Sequence, residues 1–291
     1  MAIAPERGKA IFAKSARDLD RLSSKQTPEN IHSFRTTVLR LETLLENLAP
    51  GRDRGRKKLL KTLNRIRKRA GKVRDIDVQL AALRSLKVAQ EPRRKTQLVQ
   101  DLIELRVKHE KKLDKSLNKK ELRELRQKLK RTGKTVRFDK ALDPLVAARD
   151  ILKSAAPPDG TISEAVLHRY RIAVKRARYA AEFAPKSEEA GRFIAQLKPL
   201  QDALGQWHDW LILSHTAIEQ LGEVNQSSLV AVLHNVTRGR FRQAVGALSN
   251  SQINRPATKP RPAPSLNSGK TGTRKLLGMQ KATVTPISLA S

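Results

Sequence analysis

Residues 167–183 read LHRYRIAVKRARYAAEF. Four apolar side chains recur in this segment at steps of three or four residues: Tyr170, Val174, Ala177 and Ala181. That spacing places them on one face of an α-helix, so we predict an amphipathic helix. Its start is expected at Ser163 and Glu164, because a serine at this position caps the first helical turn.

The same helical period extends through most of the chain. Apolar residues recur at three- and four-residue steps in three earlier segments, 34–48, 59–83 and 98–129. Proline and glycine interrupt the pattern at 50–51 and 157–160, and the alternating β-branched runs typical of strands are missing. We therefore predict an all-α fold built from helical bundles.

Basic side chains occupy the helical face opposite the apolar stripe of residues 167–183. They are His168, Arg171, Lys175 and Arg178. Like charges at this spacing repel one another, and no acidic residue intervenes before Glu182. A solvated lysine-rich face is the plain alternative, but a face that served only solubility would include glutamate. The pattern favours an anion-binding face.

An internal repeat relates the two halves of the chain. IHSFRTTVLR at 31–40 aligns with LHRYRIAVKR at 167–176, and AGKVRD at 70–75 aligns with LGQWHD at 204–209. The alternative is chance similarity between short arginine-rich strings, but both motifs occur in the same order. We predict two helical hairpins related by a pseudo-two-fold axis, with their basic faces meeting.

The repeat and the helical period together select further candidate residues. In the first half, His32 and Arg35 share a face and Arg40 lies at its edge. On the following helices, Arg67 and Arg74 share one face. Gln201 and His208 share another, and Lys198 can reach its edge. Asp75 and Asp209 are interpreted as pairing with or orienting a neighbouring cation rather than as metal ligands.

Composition limits the class of partner. The chain has 291 residues with 60 Lys and Arg against 28 Asp and Glu, a formal net charge of +32. That excess favours a polyanion: nucleic acid, an acidic membrane surface or a phosphate polymer. The absence of cysteine excludes disulfides and thiol chemistry. No apolar run approaches the roughly 20 residues that span a bilayer, and no secretory signal is visible, so we expect a soluble cytoplasmic protein.

The C-terminal segment differs from the rest. Residues 251–291 contain no acidic or aromatic residue and show no apolar period. Such a segment cannot bury enough apolar surface to fold, so we predict a basic disordered tail. The helical halves before it would cover about 5–135 and 136–250.

No catalytic machinery is recognisable. His208 and His215 share a helical face next to Asp209, but no accompanying ligand set supports a metal site. No Ser or Thr stands in a nucleophile's setting. We predict neither a metal, nor a cofactor, nor an enzymatic activity.

Four phrases, IHSFRTTVLRLE, GKVRDIDV, LHRYRIAVKRARYAAEF and LKPLQDALGQWHDWLIL, resemble the CHAD family, the conserved histidine α-helical domain. The resemblance covers nearly all of residues 1–250 and implies a CHAD domain at 5–250. It implies two four-helix bundles related by pseudo-two-fold symmetry, with a basic groove between them. It also implies binding of inorganic polyphosphate and association with polyphosphate granules.

The resemblance assigns anion contacts to ten residues: His32, Arg35, Arg40, Arg74, His168, Arg171, Lys175, Arg176, Arg178 and His208. We add Arg67 because it shares a helical face with Arg74, and Lys198 because it borders the face of His208. Leu39 and Glu42 make the first half less basic than the second, and the tail has no counterpart in the family. The Glu-x-Glu-x-Lys signature of the triphosphatase domain that often precedes CHAD domains is absent, which favours a stand-alone binder.

The leading hypothesis is therefore a non-enzymatic polyphosphate-binding protein. The alternative is a general nucleic-acid-binding protein that uses its net charge and its basic tail. A phosphatase or kinase acting on polyphosphate is a third class. Single-stranded nucleic acids are usually bound by aromatic stacking, and most of the few aromatic residues here fall within helical repeats, where core packing is expected.

Overall fold

The computed structural model describes residues 3, 5–49, 51, 53–87, 91–138, 141–156, 161–222 and 227–251. Within these residues all regular structure is helical, which confirms the predicted all-α fold. The helices are α1 (Pro5–Ser24), α2 (Pro28–Thr43), α3 (Arg54–Ser85), α4 (Pro92–Asp114), α5 (Lys119–Thr135), α6 (Pro144–Lys153), α7 (Glu164–Ala181), α8 (Glu188–Leu221) and α9 (Ser228–Asn250). A π-helical turn, Leu44–Leu48, continues α2.

Side-chain caps fix where several helices begin. The side chain of Ser163 accepts a hydrogen bond from the backbone N–H of Val166, so the predicted start of α7 is confirmed. Thr27, Asp53 and Asn118 cap α2, α3 and α5 in the same way. Each cap satisfies a backbone donor that has no partner within the helix.

Buried side chains of the described residues form two clusters. The larger draws on both sequence halves, from Phe12 and Phe34 to Tyr170 and Trp207. The smaller joins the C-terminal parts of α3 and α8 to α4 and to the start of α9. The larger cluster therefore contains residues from both sides of the predicted boundary near residue 135. That boundary and the pseudo-two-fold arrangement of two bundles stay predictions.

Contacts between the halves bring the repeated motifs together. Helix α2 packs against α7, and α3 packs against α8. These are the helices that carry the basic faces, so the packing determines which cations meet. None of the described helices is long and apolar enough to cross a membrane. The predicted tail, apart from Ser251, lies outside the described residues, and its disorder stays a prediction.

Candidate functional site

A cleft of about 550 Å³ lies where α2, α3 and α7 meet, with contributions from α1 and α8. Seven of the twelve predicted site residues line it: His32, Arg35, Arg40, Arg74, Arg171, Lys175 and Arg178. The structure thus places the basic residues of both halves around one space.

Burial of the opposite helical faces orients these cations. On α2 the side chains of Phe34 and Val38 are fully buried, and on α7 those of Val174 and Ala177 are fully buried. Because apolar burial holds one face of each helix in the core, the other face, with its basic side chains, is turned towards the cleft.

Arg40 is held by an ion pair between the two halves. Its Nε donates to Oε2 of Glu182 at 2.7 Å and its Nη2 to Oε1 at 3.3 Å. The guanidinium also lies over the ring of Tyr179, 5.0 Å from the centroid. A two-point carboxylate contact fixes a guanidinium more firmly than a single bond, so this arginine has a defined orientation at the cleft.

Arg178 shares the same carboxylate. Its Nε lies 3.4 Å from Oε1 of Glu182, and its Nη1 donates to Oε1 of Gln201 at 3.2 Å. The Nε atoms of Arg178 and Arg171 are buried and have no hydrogen-bond acceptor among the described residues. The cleft therefore contains arginine donors whose bonding capacity is incompletely used.

Two aspartates also line the cleft. Asp75 Oδ1 lies 3.5 Å from Arg35 Nη1, so the predicted pairing of Asp75 with a cation is confirmed. Burial raises the pKa of Asp209, although the charges of Arg171 and Lys175 act in the opposite direction. These two carboxylates are outnumbered by the lysines and arginines around them.

Burial and neighbouring positive charge both affect Lys175. Burial, followed by the charge of Arg171, lowers its pKa to about 8, and Asp209 only partly compensates. Burial also lowers the pKa of Arg171. Both shifts mean that the charged forms are poorly stabilised inside the protein, and an anion in the cleft would stabilise them.

His168 and His208 lie beside the cleft rather than in its lining. Their rings stack with centroids 5.4 Å apart and planes 25° from parallel. Burial, followed by the charge of Arg171, lowers the pKa of His208 to about 3, and the same two causes lower the pKa of His168. The pKa of His32, which lines the cleft, is lowered by burial and by Arg74.

Three predicted residues pair with acidic or polar neighbours away from the lining. Arg67 donates to Asn64 Oδ1 at 2.8 Å and lies 3.8 Å from Glu42. Arg176 pairs with Glu46. Lys198 pairs with Asp202 at 3.0 Å on an exposed face of α8. The structure does not bring these three cations to the described cleft.

Lys14 of α1 lines the cleft and was missed by the sequence reasoning. Its Nζ donates to Asp18 Oδ2 at 2.6 Å and to Ser33 Oγ at 3.1 Å. Thr37 Oγ1 also donates to Asp18, whose carboxylate is almost completely buried. The missed signal was a lysine and an aspartate four residues apart on a helix that precedes the repeated motif.

The histidines considered as metal ligands do not form a larger ligand set. His215 lines a second cleft of about 530 Å³ together with His234 and Glu164. Among the residues that the structure describes, no three His, Asp or Glu side chains are grouped so that they could hold a metal ion.

A family model, that of the CHAD domain, matches residues 10–217, a range that contains every residue named above as lining the cleft of about 550 Å³. The chain belongs to the CHAD family. Its CHAD domain is similar to the one in the crystal structure from the plant Ricinus communis, with a TM-score of 0.56 and 21% sequence identity. The alignment covers 87% of this chain and 89% of the plant chain. At this identity the likeness shows a shared CHAD fold. No curated protein matches the chain.

Proposed function

We propose that this protein binds inorganic polyphosphate in the cleft and does not transform it. The observation that carries the proposal is the charge of the lining: seven lysine and arginine side chains stand against two aspartates. Like charges are brought this close at a cost in stability, and a bound polyanion offsets that cost. The association of the CHAD family with polyphosphate supports the same assignment.

Phosphate oxygens suit the donors of the cleft. Arginine presents a planar fork of N–H groups that binds phosphate at two points. The Nε of Arg171 has no hydrogen-bond acceptor among the described residues, and that of Arg178 makes only the 3.4 Å ion pair with Glu182. Arg171, Lys175 and Arg178 extend over about 10 Å of α7, at a rise of 1.5 Å per residue. A linear chain with a charge at every unit is a ligand that can contact all three.

The aromatic residues argue against single-stranded nucleic acid as the preferred ligand. Phe34, Tyr170 and Trp207 are fully buried. Phe138, Phe241 and Trp210 are partly buried and pack against the two core clusters. Tyr179, which lines the cleft, is buried, and the guanidinium of Arg40 lies over its ring. Binding of single strands generally uses exposed aromatic platforms, and none of these side chains provides one.

A pair of triple variants tests the site. Arg171, Lys175 and Arg178 are replaced by alanine in the first variant. The control replaces Arg123, Lys130 and Arg131, exposed residues of α5 that lie outside the cleft. Both variants lose three positive charges, so a difference between them reports on position rather than on net charge.

Titration with long-chain polyphosphate at two salt concentrations supplies the readout, with circular dichroism as the check on folding. We expect the cleft variant to lose at least about tenfold in affinity and the control to lose much less. Equal losses in the two variants would refute the site.

The absence of catalysis and the preference over nucleic acid are tested separately. Incubation with polyphosphate and Mg²⁺ should release no phosphate and shorten no chain, and turnover would overturn the non-enzymatic assignment. The net charge of +32 keeps nucleic acid as the second candidate. Displacement of polyphosphate by duplex DNA at equal phosphate concentration would favour that second candidate.

We extend the proposal to location at polyphosphate granules, on the basis of the CHAD resemblance. Imaging the full chain and a chain truncated after residue 251 tests this extension. Granule localisation of both would assign targeting to the helical part, and diffuse localisation of the full chain would contradict the extension.

A further inference from the structure

The carboxylates near the basic side chains of the cleft are of two kinds. Glu182 accepts two hydrogen bonds from Arg40 and lies outside the cleft lining. Asp75 and Asp209 belong to the lining, and neither accepts a hydrogen bond from any described residue. Glu182 therefore holds arginines in place, whereas the two aspartates act on their surroundings through charge.

Asp75 and Asp209 occupy matching positions in the repeat, at the ends of AGKVRD and LGQWHD. Both stabilise the charged forms of Arg171 and Lys175, and the charge of Asp75 contributes to raising the pKa of Asp209. The two carboxylates thus share the space that the basic side chains surround.

We propose that Asp75 and Asp209 are specificity-determining residues, internal counterions that exclude single phosphates and admit phosphate chains. This inference rests on the proposed function. A single phosphate contacts few cations at once and is repelled by the nearby aspartate. A chain makes many contacts at once, and the linked contacts reinforce one another until they outweigh that repulsion.

If the aspartates instead oriented the arginines, removal of their charge would weaken phosphate binding, whereas the counterion role predicts stronger binding. An aspartate that positions an arginine does so through short hydrogen bonds. The single ion pair that either aspartate forms among the described residues is the 3.5 Å contact between Asp75 and Arg35. Replacement by asparagine keeps the side-chain shape and removes the charge, so its effect on affinity distinguishes competition from orientation by sign.

The experiment compares Asp75→Asn and Asp209→Asn with Asp202→Asn. Asp202 lies on α8, seven residues before Asp209, and is exposed outside the cleft, where it pairs with Lys198. All three variants gain the same net charge. Orthophosphate, tripolyphosphate and long-chain polyphosphate are titrated at matched ionic strength and at pH 6.5, where Lys175 remains charged.

In the wild type we expect long chains to bind and orthophosphate to bind far more weakly. Each cleft variant should reduce the ratio of the two affinities by about fivefold, and Asp202→Asn should leave it unchanged. An unchanged ratio, or weaker binding of long chains in either cleft variant, would overturn the counterion role. A wild type that binds no long chain would instead overturn the proposed function itself.

Discussion

The imidazole rings of His168 and His208 stack across α7 and α8, with their centroids 5.4 Å apart. Burial and the positive charge of Arg171 both lower the pKa of each ring below its ordinary value. The neutral rings can stack without charge repulsion. Because these two histidines and the nearby Lys175 can change their protonation state, we expect the properties of the cleft to depend on pH.

We predict that His208 makes the protein sensitive to acid. In the folded state its pKa is about 3, whereas in the unfolded chain it is about 6.5. The unfolded state therefore binds the proton first, and stability is lost as pH falls below 6.5. Between pH 6.5 and 4.5 the loss should reach at most about 2.5 kcal/mol.

Urea unfolding of His208→Gln at these two pH values measures this contribution. The variant should lose less stability than the wild type over the interval. His215→Gln, which changes an exposed histidine seven residues further along α8, should behave as the wild type does. Equal pH dependence in His208→Gln and the wild type would contradict the prediction.

We predict that polyphosphate binding at pH 8 takes up protons. The pKa of Lys175 is about 8, so roughly half of the molecules carry the proton at that pH. A bound polyanion favours the charged form, and uptake of about half a proton should follow. Calorimetry in two buffers of different ionisation enthalpy measures it. Lys175→Arg should bind without this uptake, because arginine stays charged.

We predict that Asp18→Ala lowers the unfolding free energy by about 3 kcal/mol. Burial acts to raise the pKa of Asp18, but hydrogen bonds from Lys14, Thr37 and Ser33 together keep it below its ordinary value. Removing the carboxylate leaves these groups without their acceptor. Asp20→Ala, at a half-exposed carboxylate on the same helix, should cost less than about 1 kcal/mol. Chemical denaturation measures the unfolding free energy of both variants. Similar losses in Asp18→Ala and Asp20→Ala would contradict a stabilising role for the hydrogen bonds to Asp18.

We predict that Glu182→Ala costs about 1–2 kcal/mol of unfolding free energy. This carboxylate joins Arg40 of α2 to Arg178 of α7, and its side chain is three-quarters buried. Glu46→Ala is the control, because the more exposed Glu46 also joins the two halves through Arg176. The control should change stability by less than about 0.5 kcal/mol. Thermal unfolding of both variants at equal salt measures the difference.

Much of the helical fold was predictable from local pattern. The apolar stripe of residues 167–183 predicted α7, and Ser163 predicted its start, because period and capping depend on neighbouring residues. The same stripe predicted that His168, Arg171, Lys175 and Arg178 lie together on the opposite face. Three of them line the cleft, whereas His168 is not part of its lining.

Contacts between distant helices were not predictable in this way. Arg40 and Glu182 are 142 residues apart, and nothing in their local sequence indicates that they pair. The family resemblance assigned Arg176 to the site, and Lys198 was added because it borders the face of His208, but the structure pairs both with acidic residues elsewhere. Lys14 enters the cleft because α1 packs against α2.

The order of the amino acids alone established that the described chain is helical and which face of each repeated helix is basic. Packing of the helices then selected which basic side chains share a space, which carboxylates accompany them, and how far the pKa values of His208 and Lys175 fall. The reason is physical: helical period acts over a few residues, whereas burial and charge interaction depend on distances between helices.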